Sequence, residues 1–157
     1  MKSAIIYYSF TGNTHRIACL FADILKNKGE EAVLVRIRPL KEETAFLKQC
    51  KEAFLGKKSE LYRTLLDLKD FDRVIIGSPV WAFKPAPAIN TYIEQCGSLQ
   101  DKTAICFVTY GSGVGKNRAL EIMKKALVMK GARIAGTVSF QQSENKKQCR
   151  KKLSEML

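Results

Sequence analysis

The sequence predicts an α/β protein: one three-layer sandwich with a five-stranded parallel sheet of order 2-1-3-4-5. Three observations carry this. Apolar runs of strand length alternate five times with segments of helical periodicity, as in a parallel sheet covered by helices. The first, third and fourth runs are apolar throughout, as strands buried on both faces are, whereas the second and fifth alternate, as edge strands do. Finally, 157 residues suit a single domain with a sizeable core, spanning 1–157, and no linker, repeat or low-complexity tract divides them.

The first strand is Ala4-Ile5-Ile6-Tyr7-Tyr8. Ile17, Leu20, Phe21, Ile24 and Leu25 then recur at helical spacing over residues 14–28, and Gly29 is the expected stop. Residues 31–38 set Val33, Val35 and Ile37 against Leu34, Arg36 and Arg38, a strand with one drier face. From Pro39 to Asp70 the pattern loosens. Phe46, Leu47, Cys50, Ala53 and Phe54 suggest a short helix, Gly56-Lys57-Lys58 a break, and Leu61, Leu65 and Leu68 a second helical piece. Residues 73–77 read as a buried strand, and residues 78–85, with two prolines, as a rigid loop. Ile89, Tyr92, Ile93 and Cys96 mark a third helix face, closed by Gly97. Residues 103–109 are the next buried strand, followed by a glycine-rich loop, Tyr110 to Gly115. Ala119, Ile122, Met123, Ala126 and Leu127 mark a fourth helix ending at Gly131. Residues 133–140 place Ile134, Val138 and Phe140 on one side of a strand, and a basic final helix carries Cys149, Leu153, Met156 and Leu157.

In the order 2-1-3-4-5 the winding direction changes between strands one and three, and a crevice opens at their carboxyl ends. Three loops emerge there. Ser9-Phe10-Thr11-Gly12-Asn13-Thr14 is almost all hydroxyl, amide and glycine, and it runs into a helix N-terminus. Neutral donors and the helix dipole together suit a phosphate, although the same residue types also serve as ordinary helix caps. The second loop presents Trp81 and Phe83, with Pro79 and Pro85 stiffening the backbone. The third presents Tyr110 beside glycines that allow close backbone approach. A phosphate cradle beside aromatic rings and bare peptide groups suits a flat heterocycle with a phosphate tail.

Ser9 to Thr14 resembles the FMN phosphate loop of the flavodoxin family. Residues 77–87 are similar to the second loop of small flavodoxin-like proteins, and Thr109-Tyr110-Gly111-Ser112-Gly113 to the third. The resemblance covers the whole chain and implies a flavodoxin-like fold with FMN as cofactor. By position, Ser9, Thr11, Asn13 and Thr14 would hold the phosphate with backbone help from Phe10 and Gly12. Pro79, Val80 and Trp81 would line the flavin ring, and Thr109, Tyr110 and Gly111 its other side or pyrimidine edge. The plain alternative for Trp81 is a core or lid residue, and for Tyr110 a residue that simply caps its strand. The resemblance implies an electron-transfer flavodoxin first. The alternatives are an FMN-dependent NAD(P)H oxidoreductase reducing a quinone or similar acceptor, and a flavin-free binding module. Flavin chemistry needs no side chain as acid or base, so no catalytic residue is assigned.

Charge departs from the family. Lys and Arg number 27 against 15 acids, and residues 102–157 hold 12 bases and 3 acids, +9 of the net +12. Electron-carrier flavodoxins are generally acidic. Here Lys84, Lys116 and Arg118 follow the ring-side loops, which favours an acidic redox partner, such as a reductase or ferredoxin, or a small anionic acceptor. A basic surface without a specific partner is the plain alternative, and nucleic acid is not the expected ligand. The same cations would favour a reduced, anionic flavin and raise its potential.

Other chemistries fit poorly. Tyr110 to Asn117 lacks the first glycine and the Ser/Thr of a nucleotide P-loop, and Lys116 stands at the third glycine of a dinucleotide motif. His15 has no nucleophile–acid pair around it and reads as a solvated first-turn residue. One histidine and five cysteines without a Cys-x-x-Cys pair predict free thiols and no metal site. No apolar stretch approaches the ~20 residues that span a bilayer, and no signal peptide is evident, so the expected compartment is the cytoplasm.

Overall fold

A computed structural model describes residues 1–40, 51 and 60–157. Five parallel strands form its central sheet: β1 (Lys2–Tyr7), β2 (Glu31–Arg36), β3 (Arg73–Trp81), β5 (Thr103–Tyr110) and β6 (Arg133–Gln141). Their spatial order is β2-β1-β3-β5-β6, which is the expected 2-1-3-4-5 once a two-residue strand off the path, β4 (Lys84–Pro85), is set aside. Among the described residues, four helices cover the sheet: α1 (Asn13–Asn27), α2 (Pro87–Gln95), α3 (Lys116–Met129) and α4 (Lys146–Met156).

The strand pleat sorts the core into two layers. Ala4, Ile6, Val74, Ile76, Ala104, Cys106 and Val108 face α2 and α3, meeting Ile89, Tyr92, Met123 and Leu127. Ile5, Tyr7, Ile75, Ile105 and Phe107 face α1 and α4, meeting Ile17, Phe21, Leu25, Cys149 and Leu153. Gly77 lies on this second face because nothing larger fits: a Cβ there would sit 2.0 Å from Cζ of Phe107. Gly29 stops α1 as expected. Its φ is 75°, and the Glu30 N–H donates to the Leu25 carbonyl while the Gly29 N–H donates to that of Lys26.

Four expectations need correction or fall outside the described residues. The helix proposed on Phe46, Leu47, Cys50, Ala53 and Phe54, and the break at residues 56–58, lie outside them. Residues 61–68 form no helix. Leu61 instead bridges Pro39, and Leu61, Leu65 and Leu66 lean on the core from an irregular segment. Their spacing reflected a one-sided contact, which an irregular strap makes as well as a helix. Residues 78–81 are not loop: β3 continues to Trp81 and turns back into β4. Finally, Ile134 does not share a face with Val138 and Phe140. A bulge pairs Ala104 with Ile134 but Ile105 with Gly136, and the extra residue, Ala135, reverses the alternation. Ile134 therefore packs on the α2/α3 side, and Val138 and Phe140 on the α1/α4 side.

Candidate functional site

Because the strands are parallel, the segments after β1, β3, β5 and β6 all surface at one edge of the sheet. They enclose a cavity of about 250 Å³ lined by Phe10, Thr11, Thr14, Pro79, Val80, Trp81, Thr109, Gly111, Ser112 and Gln142. Eight of the twelve residues expected at the site thus line one space: Phe10, Thr11, Thr14, Pro79, Val80, Trp81, Thr109 and Gly111.

The remaining four support or flank it. Ser9 is buried, and its hydroxyl accepts the Gly12 N–H at 3.1 Å, bracing the first loop from inside. Asn13 Nδ2 donates to Thr11 Oγ1 at 3.0 Å. Gly12 supplies the left-handed residue, φ 92°, that turns the chain into α1. Tyr110 stands at the end of β5, with the Lys116 ammonium 4.7 Å from its ring centroid and 3.4 Å from its hydroxyl. Arg36 on β2 donates to the Ser9 carbonyl at 2.9 Å and ties the loop to the neighbouring strand.

The donor set matches a phosphate ester. No side chain caps α1, and Thr14 of its first turn lines the cavity, so the positive end of the helix dipole lies beside this space. The Thr14 and Thr109 hydroxyls share a buried hydrogen bond of 2.8 Å that joins the first loop to β5. Each keeps further capacity for a guest.

The opposite wall is built differently. Trp81 pairs with Lys84 and Val80 with Pro85 across a two-residue turn, Ala82-Phe83. Both turn residues have positive φ, 45° and 66°, the backbone of the turn that normally calls for Asn-Gly. Neighbouring packing sustains this strain. The Ser78 hydroxyl accepts the Ala86 N–H at 2.8 Å and donates to the Pro79 carbonyl at 2.9 Å. Gly115 presses against the turn so closely that a Cβ would lie 2.7 Å from Cα of Phe83. Trp81 is both wall and core: it is 6% exposed and packs edge-on with Tyr8 and Phe10 at 5.4 and 6.1 Å.

Ser112 was placed in the third loop without a role, and Gln142 was missed by sequence reasoning. Gln142 had a readable signal, since the segment after the last strand must emerge at the same edge. Its N–H donates to the Tyr110 carbonyl at 2.9 Å. The turn is anchored by Glu144. Burial alone would raise its carboxyl, but hydrogen bonds from Lys152 and the Gln141 N–H, with Lys152 and Arg16 charge nearby, hold it below the ordinary value.

His15 is exposed yet not merely solvated: its Nδ1 hydrogen-bonds the Tyr7 hydroxyl at 2.7 Å, a contact across the strand–helix turn. The described cysteines, Cys19, Cys96, Cys106 and Cys149, are free thiols, and burial pushes Cys106 up to about 12.

A sheet of this order, with a polar loop at the first helix N-terminus and an aromatic wall at the switch point, defines a flavodoxin-like protein. The chain belongs to the NADPH-dependent FMN reductase family, whose model matches residues 1–145. Solved structures agree with this fold. A Bacteroides uniformis protein described as a flavoprotein is 25% identical, with 98% of this chain and 97% of that one covered and a TM-score of 0.80. A flavoprotein of Lactobacillus acidophilus, in complex with FMN, is 22% identical over 88% of this chain and 92% of its own, at 0.72. A Streptococcus pneumoniae flavodoxin is 15% identical over 99% and 94%, at 0.68. Family membership agrees with the expected cofactor, FMN. Among the described residues, no helix is long and apolar enough to cross a membrane.

Proposed function

We propose that the chain works as one unit, residues 1–157, binding FMN in the edge cavity and passing electrons in the cytoplasm. The observation that carries this reading is the convergence of an uncapped helix N-terminus, threonine hydroxyls and an aromatic wall on one cavity. Bound flavin supplies the redox chemistry, taking up and releasing electrons. The protein's share is binding, orientation and field. Thr11, Asn13 and Thr14, with the backbone of Phe10 and Gly12 and the brace from Ser9, hold the phosphate. Pro79, Val80 and Trp81 border one part of the ring. Thr109, Tyr110 and Gly111 border another. Lys116, held against Tyr110, adds positive charge at that rim and raises the midpoint potential of the bound flavin.

Two readings suit the arrangement. The first reading is an electron carrier of the flavodoxin type. The second, favoured by the matched family, is an oxidoreductase that accepts hydride from NADPH at the same site and reduces a small acceptor. The experiment is purification without added flavin, identification of the ligand by mass, and anaerobic mixing with NADPH. FMN that stays oxidised under NADPH but exchanges electrons with a protein partner supports the carrier. Rapid stoichiometric bleaching supports the oxidoreductase, and a chain with no affinity for flavin overturns both. FMN should bind far more tightly than riboflavin, because the first loop is built for the phosphate; equal affinities would remove that role from Ser9–Thr14.

A further inference from the structure

The two edges of the sheet differ in charge. At the amino-terminal edge both signs mingle: Lys2 pairs with Glu31 and Arg73 with Glu30, and Asp72 accepts from the Lys2 N–H. At the carboxyl edge, where the cavity opens, the chain places Arg36, Arg38, Lys84, Lys116, Arg118 and Lys146. The described acids in segments leaving that edge are Glu60 and Glu144, and Lys152 binds the second at 2.7 Å.

An apolar tip stands among these cations. Phe83 is 45% exposed and Val114 62%, and Gly115 brings their two segments into contact. Holding Phe83 outward is costly, because its φ of 66° is a left-handed conformation that a bulky side chain rarely takes. Folding alone gains little from a strained, half-exposed phenyl ring. An apolar centre with a rim of one charge is instead the anatomy of a protein docking surface: the rim steers and the centre anchors. A polyanion would need the cations without the ring.

We propose that the Phe83–Val114 tip, rimmed by Lys84, Lys116 and Arg118, is the docking surface for an acidic redox protein, which it seats against the cavity wall formed by Trp81. This rests on the redox reading above and names its partner class. It commits to a protein with a carboxylate-rich face and an electron-carrying centre near that face; nucleic acid and free dinucleotide are the competing occupants.

The test measures binding of an acidic plant-type ferredoxin to the full chain, with and without FMN. The variants are Lys84→Glu/Arg118→Glu and Phe83→Asn. Asn tolerates positive φ, so the second variant deletes the ring without loading the turn further. The double reversal should weaken binding by at least about tenfold at about 50 mM salt, with the difference shrinking at about 500 mM. Phe83→Asn should weaken it by about threefold to tenfold at both salts, as loss of an apolar anchor does. Lys69→Glu, at the opposite edge, should change it by less than about twofold.

Equal binding by wild type and the double reversal at low salt overturns the proposal. So does a heparin fragment that binds more tightly than the ferredoxin and is indifferent to Phe83→Asn, which assigns the surface to a polyanion. Flavin affinity is read in the same samples from fluorescence quenching. A chain that takes no flavin but keeps salt-sensitive, Phe83-dependent association upholds the surface and sinks the redox reading. Normal flavin affinity with charge-blind association does the reverse.

Discussion

The two walls of the cavity reach rigidity by opposite routes. The loop at residues 9–14 is held by discrete hydrogen bonds: Ser9 holds Gly12, Asn13 holds Thr11, Arg36 and Thr109 tie it to its neighbours, and glycine takes the one left-handed conformation. The hairpin of β3 and β4 is held from outside. It puts Ala82 and Phe83 where Asn and Gly would be comfortable, and Ser78 and Gly115 keep it there. A loop held by separate hydrogen bonds can be altered one donor at a time. A turn held by packing couples binding to stability.

Trp81→Ala makes the coupling largest. Losing a nearly buried indole should cost about 3–5 kcal/mol of stability and also weaken FMN by about 1–2 kcal/mol, with brighter residual flavin emission. Thr11→Ala should weaken FMN by about 1–3 kcal/mol and leave the urea midpoint almost unmoved. Equal stability losses in the two variants would abolish the contrast.

Two glycines sharpen it. Gly77→Ala drives a methyl into the Phe107 ring and should destabilise by about 3 kcal/mol. At Gly12 nothing lies within 4 Å of a new Cβ, so Gly12→Ala bears only the cost of φ 92°, about 1–2 kcal/mol. Denaturant midpoints of the pair distinguish lack of space from backbone strain. Relief of strain is the next smaller effect: Ala82→Asn/Phe83→Gly should raise stability by about 1 kcal/mol, read from the same midpoints.

The smallest effect is acid sensitivity at Glu144. Its carboxyl titrates lower in the folded chain than in the unfolded one, so its contribution is present above the unfolded value. The contribution disappears as pH falls through the folded value. Glu144→Gln should remove less than about 1 kcal/mol at neutral pH and flatten that acid limb. An unchanged pH profile would show that the turn does not depend on the charge.

Much of the architecture was legible because it rests on burial. The runs in β1, β3 and β5 are apolar since both faces are covered, and the alternation in β2 marks an edge. The first wall was legible too, because Ser, Thr, Asn and Gly advertise donors and turns. The hairpin was not, since Ala-Phe carries no turn signature and its geometry comes from Gly115, a neighbour 32 residues along the chain. Reading residues 78–85 as loop followed from their prolines. Pro79 fits inside β3, and Pro85 ends the short return. Gln142 was overlooked through attention to three loops when the cavity draws on four.

The bulge at Ala135 has a consequence for how this chain can change over time. Ahead of it, Ile134 answers to one helical layer; beyond it, Gly136, Val138 and Phe140 answer to the other. One surplus residue works like a differential between two shafts, letting each end of β6 turn to its own partner. Removing Ala135 would force a choice. Either Ile134 would rotate away from α3, or Gly136 would leave its place beside Met156 and carry the segment reaching Gln142 out of phase. Relatives that gain or lose a residue here therefore need a second change, in α3 or in α4, and such paired changes would be the trace left by this irregularity.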